Sequence, residues 1–206
     1  MAYADTVIDT TPSWVGIGVN PFGPPIYETF GQTITVPVTD AVLLSWTFFM
    51  EQSPSTQFQG EVYAWNGTMA TGPSLFESPV MTTTNANVFQ PITFNTGGLA
   101  LTPGDTYVLF ASSSTDAQSG GGGTWGFVPG GGGYTGGSFF ALDNGTSTAQ
   151  WTSEFWAGAP GIVGSLAFKA DFDSPAAVPE PSSRILLGTV LCAMIALTLR
   201  RRKLAH

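Results

Sequence analysis

Leu166-Ala167-Phe168-Lys169-Ala170-Asp171-Phe172 (LAFKADF) decides the fold. Leu166, Phe168, Ala170 and Phe172 fall on one side of an extended chain, and Ala167, Lys169 and Asp171 on the other. That period of two is the mark of a half-buried β-strand, with the apolar set facing inward. The same alternation recurs upstream. Gln32–Pro37 sets Ile34 and Val36 against Gln32, Thr33 and Thr35, and Val42–Met50 sets Leu44, Trp46, Phe48 and Met50 against Ser45 and Thr47. Gln57–Trp65 sets Phe58, Val62 and Ala64 against Gln57, Gln59 and Glu61. Val88–Phe94 offers Val88, Ile92 and Phe94, and Thr106–Ser112 offers Tyr107, Leu109 and Ala111 with Val108 and Phe110 opposite.

Turn dipeptides punctuate these runs at Asn66-Gly67, Pro103-Gly104 and Asn144-Gly145. Strands of this kind, with no helices between them to cover a parallel sheet, predict an all-β antiparallel β-sandwich. A jelly-roll-like arrangement is expected over an immunoglobulin-like one, because six Trp and fifteen Phe suit two sheets closing on a thick aromatic core. Residues 120–137 stand apart: eleven of the eighteen are glycine, which predicts a long surface loop, interrupted by Trp125, Phe127 and Tyr134 so that part of it can lie back on the sheet. Without a lysine or a following helix it is no phosphate-binding loop.

Charge divides the chain. All fourteen acidic residues lie between Asp5 and Glu180, where Lys169 is the single basic residue; the other five basic residues follow Pro181. A body with one lysine cannot neutralise a row of phosphates, so nucleic acid is excluded as a partner. The only cysteine, Cys192, has no partner for an intrachain disulfide, and the only histidine, His206, is the last residue.

The segment Ile185–Leu199, ILLGTVLCAMIALTL, carries no charge over fifteen residues. As a helix it is about 22 Å long, and the stems of Arg184 and Arg200 can extend its reach toward the roughly 30 Å of a bilayer core. Arg200, Arg201, Arg202 and Lys203 follow at once. By the positive-inside rule they stay cytoplasmic while the body faces outward. Just before the helix, Val178-Pro179-Glu180-Pro181-Ser182-Ser183 is held extended by its two prolines.

This order of parts, spanning residues 178–206, resembles the PEP-CTERM sorting signal: Pro179, Glu180 and Pro181 as the motif, Ile185–Leu199 as the transmembrane helix, and Arg200–Lys203 as the stop. The resemblance implies an exosortase-type membrane protease as partner. It also implies insertion in the inner (cytoplasmic) membrane, then processing and export to the cell surface or extracellular matrix, in association with exopolysaccharide. The stretches GQTITVP (Gly31–Pro37), GEVYAWNG (Gly60–Gly67) and GLALTPGDTYVLF (Gly98–Phe110) resemble a β-sandwich ectodomain common among such proteins. That ectodomain implies no catalytic residues.

The expected organisation is a remnant of a signal-peptide cleavage region at 1–4, where Ala2-Tyr3-Ala4 precedes Asp5, and a sandwich at 5–174. An extended linker at 175–184, the transmembrane helix at 185–199 and a basic cytoplasmic tail at 200–206 complete it.

The body lacks the imidazole or thiol that triads and zinc sites require. The scattered carboxylates leave a two-acid glycosidase as the remote enzymatic reading, and no enzyme is expected. No cofactor is expected either. Calcium is the one metal the composition leaves open, with Asp171 and Asp173 joined by Asp5 or Asp9 if the ends meet, against the plainer reading of a solvated acidic rim. The alternative to a surface or matrix protein is a carbohydrate-binding module that stacks polysaccharide on Trp65, Trp125, Trp151 and Trp156, residues that serve as core packing in most sandwiches. Asn66-Gly67-Thr68 and Asn144-Gly145-Thr146 match the glycosylation sequon but are also ordinary turn sequences, the reading favoured for both.

Overall fold

The computed structural model describes residues 6–52, 55–83, 86–115, 122–130, 133–158 and 163–175. The chain divides into two compact units, Met1–Pro175 and Ala176–His206, and all described elements belong to the first. The expectations for 1–4, the Pro179–Pro181 motif, the helix over 185–199 and the basic cluster lie outside the described residues. Among the described residues no helix is long and apolar enough to cross a membrane.

The strands are β1 Thr6–Asp9, β2 Gly18–Phe22, β3 Thr29–Thr35, β4 Val42–Gln52, β5 Gln57–Trp65, β6 Ala70–Glu77 and β7 Met81–Thr82. They continue with β8 Ala86–Ala100, β9 Thr106–Ser112, β10 Gly123–Pro129, β11 Phe139–Leu142, β12 Gly164–Leu166 and β13 Phe168–Asp173. Every described pairing is antiparallel. In the first sheet β13 lies between β1 and β4, and β8 pairs with β4. Near its end β4 also meets β10, which carries β2 and β12. The second sheet runs β11-β3-β9-β5-β6, with β7 against β5. The protein is an antiparallel β-sandwich.

The deciding stretch behaves as its alternation predicts on the inward side: Leu166, Phe168, Ala170 and Phe172 are fully buried. Lys169 points outward and pairs with Asp9 on β1 at 3.1 Å. The stretch is not one strand, however. It breaks at Ala167, whose N–H turns to the Gly126 carbonyl at 2.7 Å. The interior they face is aromatic. Trp125 lies 4.8 Å from Phe22 and 4.9 Å from Phe48, and Trp46 stacks on Phe94 at 4.6 Å. Each such buried side chain contributes about 1.5–3 kcal/mol from desolvation alone.

Several side chains depart from simple alternation. Leu43 is buried and Leu44 is 38% exposed, the reverse of the expected face, because a bulge shifts the β4–β8 register between Leu43 and Ser45. An extra residue in one strand flips the faces on either side of it. Val88, expected inward, is exposed on β8. Gln32 and Glu61, expected outward, are buried. Gln32 shares the inward face of β3 with Ile34, and its Oε1 accepts the Leu166 N–H at 2.8 Å, which joins the two sheets through the core.

The glycine-rich stretch 120–137, expected as a loop with part of it lying back on the sheet, contains strand β10. Trp125 and Phe127 point into the core from it. Its glycines make room: a Cβ at Gly126 would lie 2.8 Å from the Trp14 ring, and one at Gly137 would overlap the Thr33 carbonyl. Gly60 does the same inside the sandwich, where a Cβ would meet the Phe94 ring at 2.2 Å. Here glycine serves close packing rather than mobility.

Candidate functional site

The outer face of the second sheet is covered. Val108 and Phe110 of β9 stand on it beside Tyr63 and Trp65 of β5 and Phe140 of β11. The chain leaving β11 folds back across them, through a 3-10 turn at Thr148–Thr152, and delivers Trp151 and Trp156 onto Phe110, each with ring centroids 5.1 Å away. The covering segment is held by its own polar groups. The Trp156 Nε1–H donates to the Trp151 carbonyl at 2.9 Å, and the Trp151 Nε1–H donates to Thr29 Oγ1 at 3.2 Å. Ala141 N–H donates to Ala157 O at 2.8 Å, so the returning chain pairs briefly with the edge strand β11.

Asn144 roots the segment. Its Nδ2 donates to Ser114 Oγ at 2.7 Å and to Ser147 O at 2.9 Å, while its Oδ1 accepts from Thr29 Oγ1 at 2.9 Å. Buried Glu28 accepts the N–H groups of Asn144 and Gly145 at 3.2 and 2.9 Å. A buried network satisfied at each member rigidifies what it holds. Asn144 is therefore a buried structural residue with its amide fully engaged. Asn66 shapes a turn, its Oδ1 accepting from Thr68 N–H, Thr68 Oγ1 and Met69 N–H.

This arrangement supports the core-packing reading of the tryptophans over the sugar-stacking one. Trp125 is closed in the sandwich interior, and Trp151 and Trp156 are 5% and 0% exposed. Trp65 is half-buried and meets Trp156 edge-on at 84°. The four do not form an exposed coplanar platform, because the sheet has a second apolar layer that needs large rings to fill it.

Beside the covering segment opens a cleft of about 420 Å³, lined by Tyr27, Asp143, Gln150, Glu154, Phe155 and Ala157 with their neighbours on β11. Phe155 stands 64% exposed next to fully buried Trp156. The 3-10 turn fixes this rim: the Gln150 carbonyl accepts the N–H groups of Ser153 and Glu154 at 3.3 and 3.0 Å. The side chains of Asp143, Gln150 and Glu154 bond to no described residue. They stand in contrast to the saturated Glu28 and Asn144 just behind them. Sequence reasoning chose Trp156 and passed over Phe155. In SEFWAG only one of two adjacent rings can face the sheet, which was the available signal.

A second feature lies on β5. Glu61 is 2% exposed, and desolvation pushes its carboxyl up to about 7. The Ser74 hydroxyl donates to it at 2.7 Å and works against that rise, while Glu77, directly across on β6, adds to it. Burial and the Glu61 charge likewise raise the neighbouring Tyr63. Neither Glu61 nor Glu77 lines the cleft at Tyr27 and Phe155. Glu61 is thus a buried acid within the sheet, and Glu77 beside it is exposed.

Among the described residues no group of three or more acidic, His or Cys side chains is placed to hold a metal. Asp171 accepts from Ser45 Oγ at 2.9 Å, Asp173 accepts the Ser174 N–H at 2.7 Å, and Asp9 is engaged by Lys169 and Thr11. Asp5 lies outside the described residues. No protein-family model matches the chain, and no curated protein matches it.

Proposed function

We propose that the chain is a non-enzymatic exported surface or extracellular-matrix protein, inserted in the inner membrane with its body outside the cytoplasm. An exosortase-type protease would then sort and process it. The observation that carries this reading is the three-part tail: Pro179-Glu180-Pro181, the apolar segment 185–199 read as a single transmembrane helix, and the stop at Arg200–Lys203. The body fits a processed product. β13 ends at Asp173, and Ser174 Oγ donates to Asp40 at 2.7 Å, with Thr6 of β1 donating to the same carboxylate. Both ends of the sandwich are thus tied down before the motif begins, so a cut near Pro179–Ser183 leaves every described strand in place. We read the order β1-β13-β4-β8 facing β3-β9-β5-β6 as a jelly roll, an architecture that presents loops at its ends for interaction.

The test is the mass of the mature C-terminus in producing cells with and without the sorting protease. Truncation near Pro179–Ser183 that depends on the protease is the expected result. An intact C-terminus in both would make the tail a permanent anchor and end the sorting proposal. A second reading, binding of carbohydrate by the sandwich, no longer rests on the tryptophans. It is favoured by the cleft at Tyr27 and Phe155.

A further inference from the structure

We propose that the cleft between Tyr27 and Phe155 binds a short stretch of a neutral polysaccharide. This rests on the carbohydrate-binding reading and is independent of the sorting signal. Four observations carry it. The cleft, at about 420 Å³, falls within the roughly 300–1,000 Å³ of small-ligand sites. Phe155 is held out at 64% exposure by a turn whose next residue, Trp156, is anchored in the apolar layer. An exposed ring on a rigid mount is an apolar face for the C–H side of a sugar at little entropic cost.

The polar lining then selects the ligand's chemistry. The carboxylates of Asp143 and Glu154 accept hydrogen bonds, and the Gln150 amide both accepts and donates. None is engaged with another described side chain, so a ligand rich in hydroxyls finds acceptors and a donor already free. Anions are disfavoured. The lining holds two carboxylates, and the body's one cation, Lys169, is paired with Asp9 on the first sheet. Phosphate, sulfate and uronate chains would meet like charge without a counter-charge. A cationic amine would be served by the carboxylates alone and has no use for the Gln150 donor.

The experiment presents the full-length chain, in mild detergent, to an array of neutral and uronate-rich glycans, with spermine as a competing cation. Two variants accompany it: Phe155→Ala, and Asp143→Asn combined with Glu154→Gln. All of these positions are exposed, and an unchanged near-ultraviolet circular dichroism spectrum verifies that the fold is kept. Retention is expected on neutral glycans and not on uronate-rich ones, with about tenfold weaker binding for Phe155→Ala. The paired variant should weaken neutral-glycan binding as well. Absence of retention on every neutral glycan, or variants that bind as the parent does, overturns the proposal. So does displacement by spermine at concentrations below those of the sugar, which would make the site a cation site. Release of reducing ends would replace binding with carboxylate-based hydrolysis. The mass of the C-terminus in cells reads the sorting proposal separately, so either can fail alone.

Discussion

The two sheets of this sandwich treat their outer faces differently. The first presents hydroxyls and charges along β4, β8 and β13: Thr47 Oγ1 meets Thr93 Oγ1 at 2.8 Å, Ser45 donates to Asp171, and Lys169 pairs with Asp9. Trp14, packed on Phe49 of β4 and Phe89 of β8, covers the part of it beside β10. The second sheet buries Val108 and Phe110 under Trp151 and Trp156, and even holds a carboxyl, Glu61, out of water. A strand in the first sheet faces one apolar layer, while β9 in the second faces two. Side chains outside the first sheet should therefore be nearly free to change, and those outside the second should behave as core.

Trp156→Ala is the strongest way to break that comparison. The side chain is fully buried, makes edge contacts with Phe110 and Trp65, and lies over Gly31, where a Cβ would come within 3.1 Å of its ring. The substitution should cost about 3–5 kcal/mol, as loss of a core tryptophan does. Urea unfolding measures it. A loss below 1 kcal/mol would show that the cover is a surface ornament rather than a second core.

Glu61 gives the next largest effect, with a pH signature that packing changes lack. Its folded pKa, about 7, is raised above the ordinary value of 4.5. A raised acid favours the folded state while protonated, so its contribution is complete below about pH 4.5 and is lost as pH climbs to about 7. Glu61→Gln keeps the shape and the Ser74 bond without the charge. It should match the parent near pH 4.5 and exceed it above pH 7 by on the order of 2–3 kcal/mol. Denaturation at a series of pH values reads this, and parallel curves for parent and variant would count against a desolvated Glu61.

What the sequence disclosed follows the same division. Alternation found the inward residues of β13 and both faces of β9, because a period of two is visible wherever one residue occupies each pleat. It failed at Leu43 and Leu44, where a bulge inserts a residue that no local pattern announces. It failed again in the glycine-rich stretch, where composition suggested mobility while Gly126 was small because Trp14 lies over it. Glu61 looked solvent-facing since it alternates with Val62. Its burial beside Ser74 of β6 is long-range, as is the return of the segment that lays Trp151 and Trp156 over Phe110 on the same sheet. The same return explains the candidate site. The sequence offered the tryptophans both as core packing and as sugar platforms, and with Trp156 buried the exposed aromatic is Phe155, one residue away.

The smallest effect sharpens the comparison from the other side. Thr47 and Thr93 are directly opposed on β4 and β8, and their hydroxyls bond to each other at the open surface. Thr47→Val removes that bond but keeps the β-branched shape that suits a strand. Water takes up the freed Thr93 hydroxyl, so no polar group is left buried and unpaired. Stability should change by no more than about 0.5 kcal/mol in the same urea titration. A change of several kcal/mol would mean that this face also carries a covering layer, contributed by a second protein or a second copy of the chain.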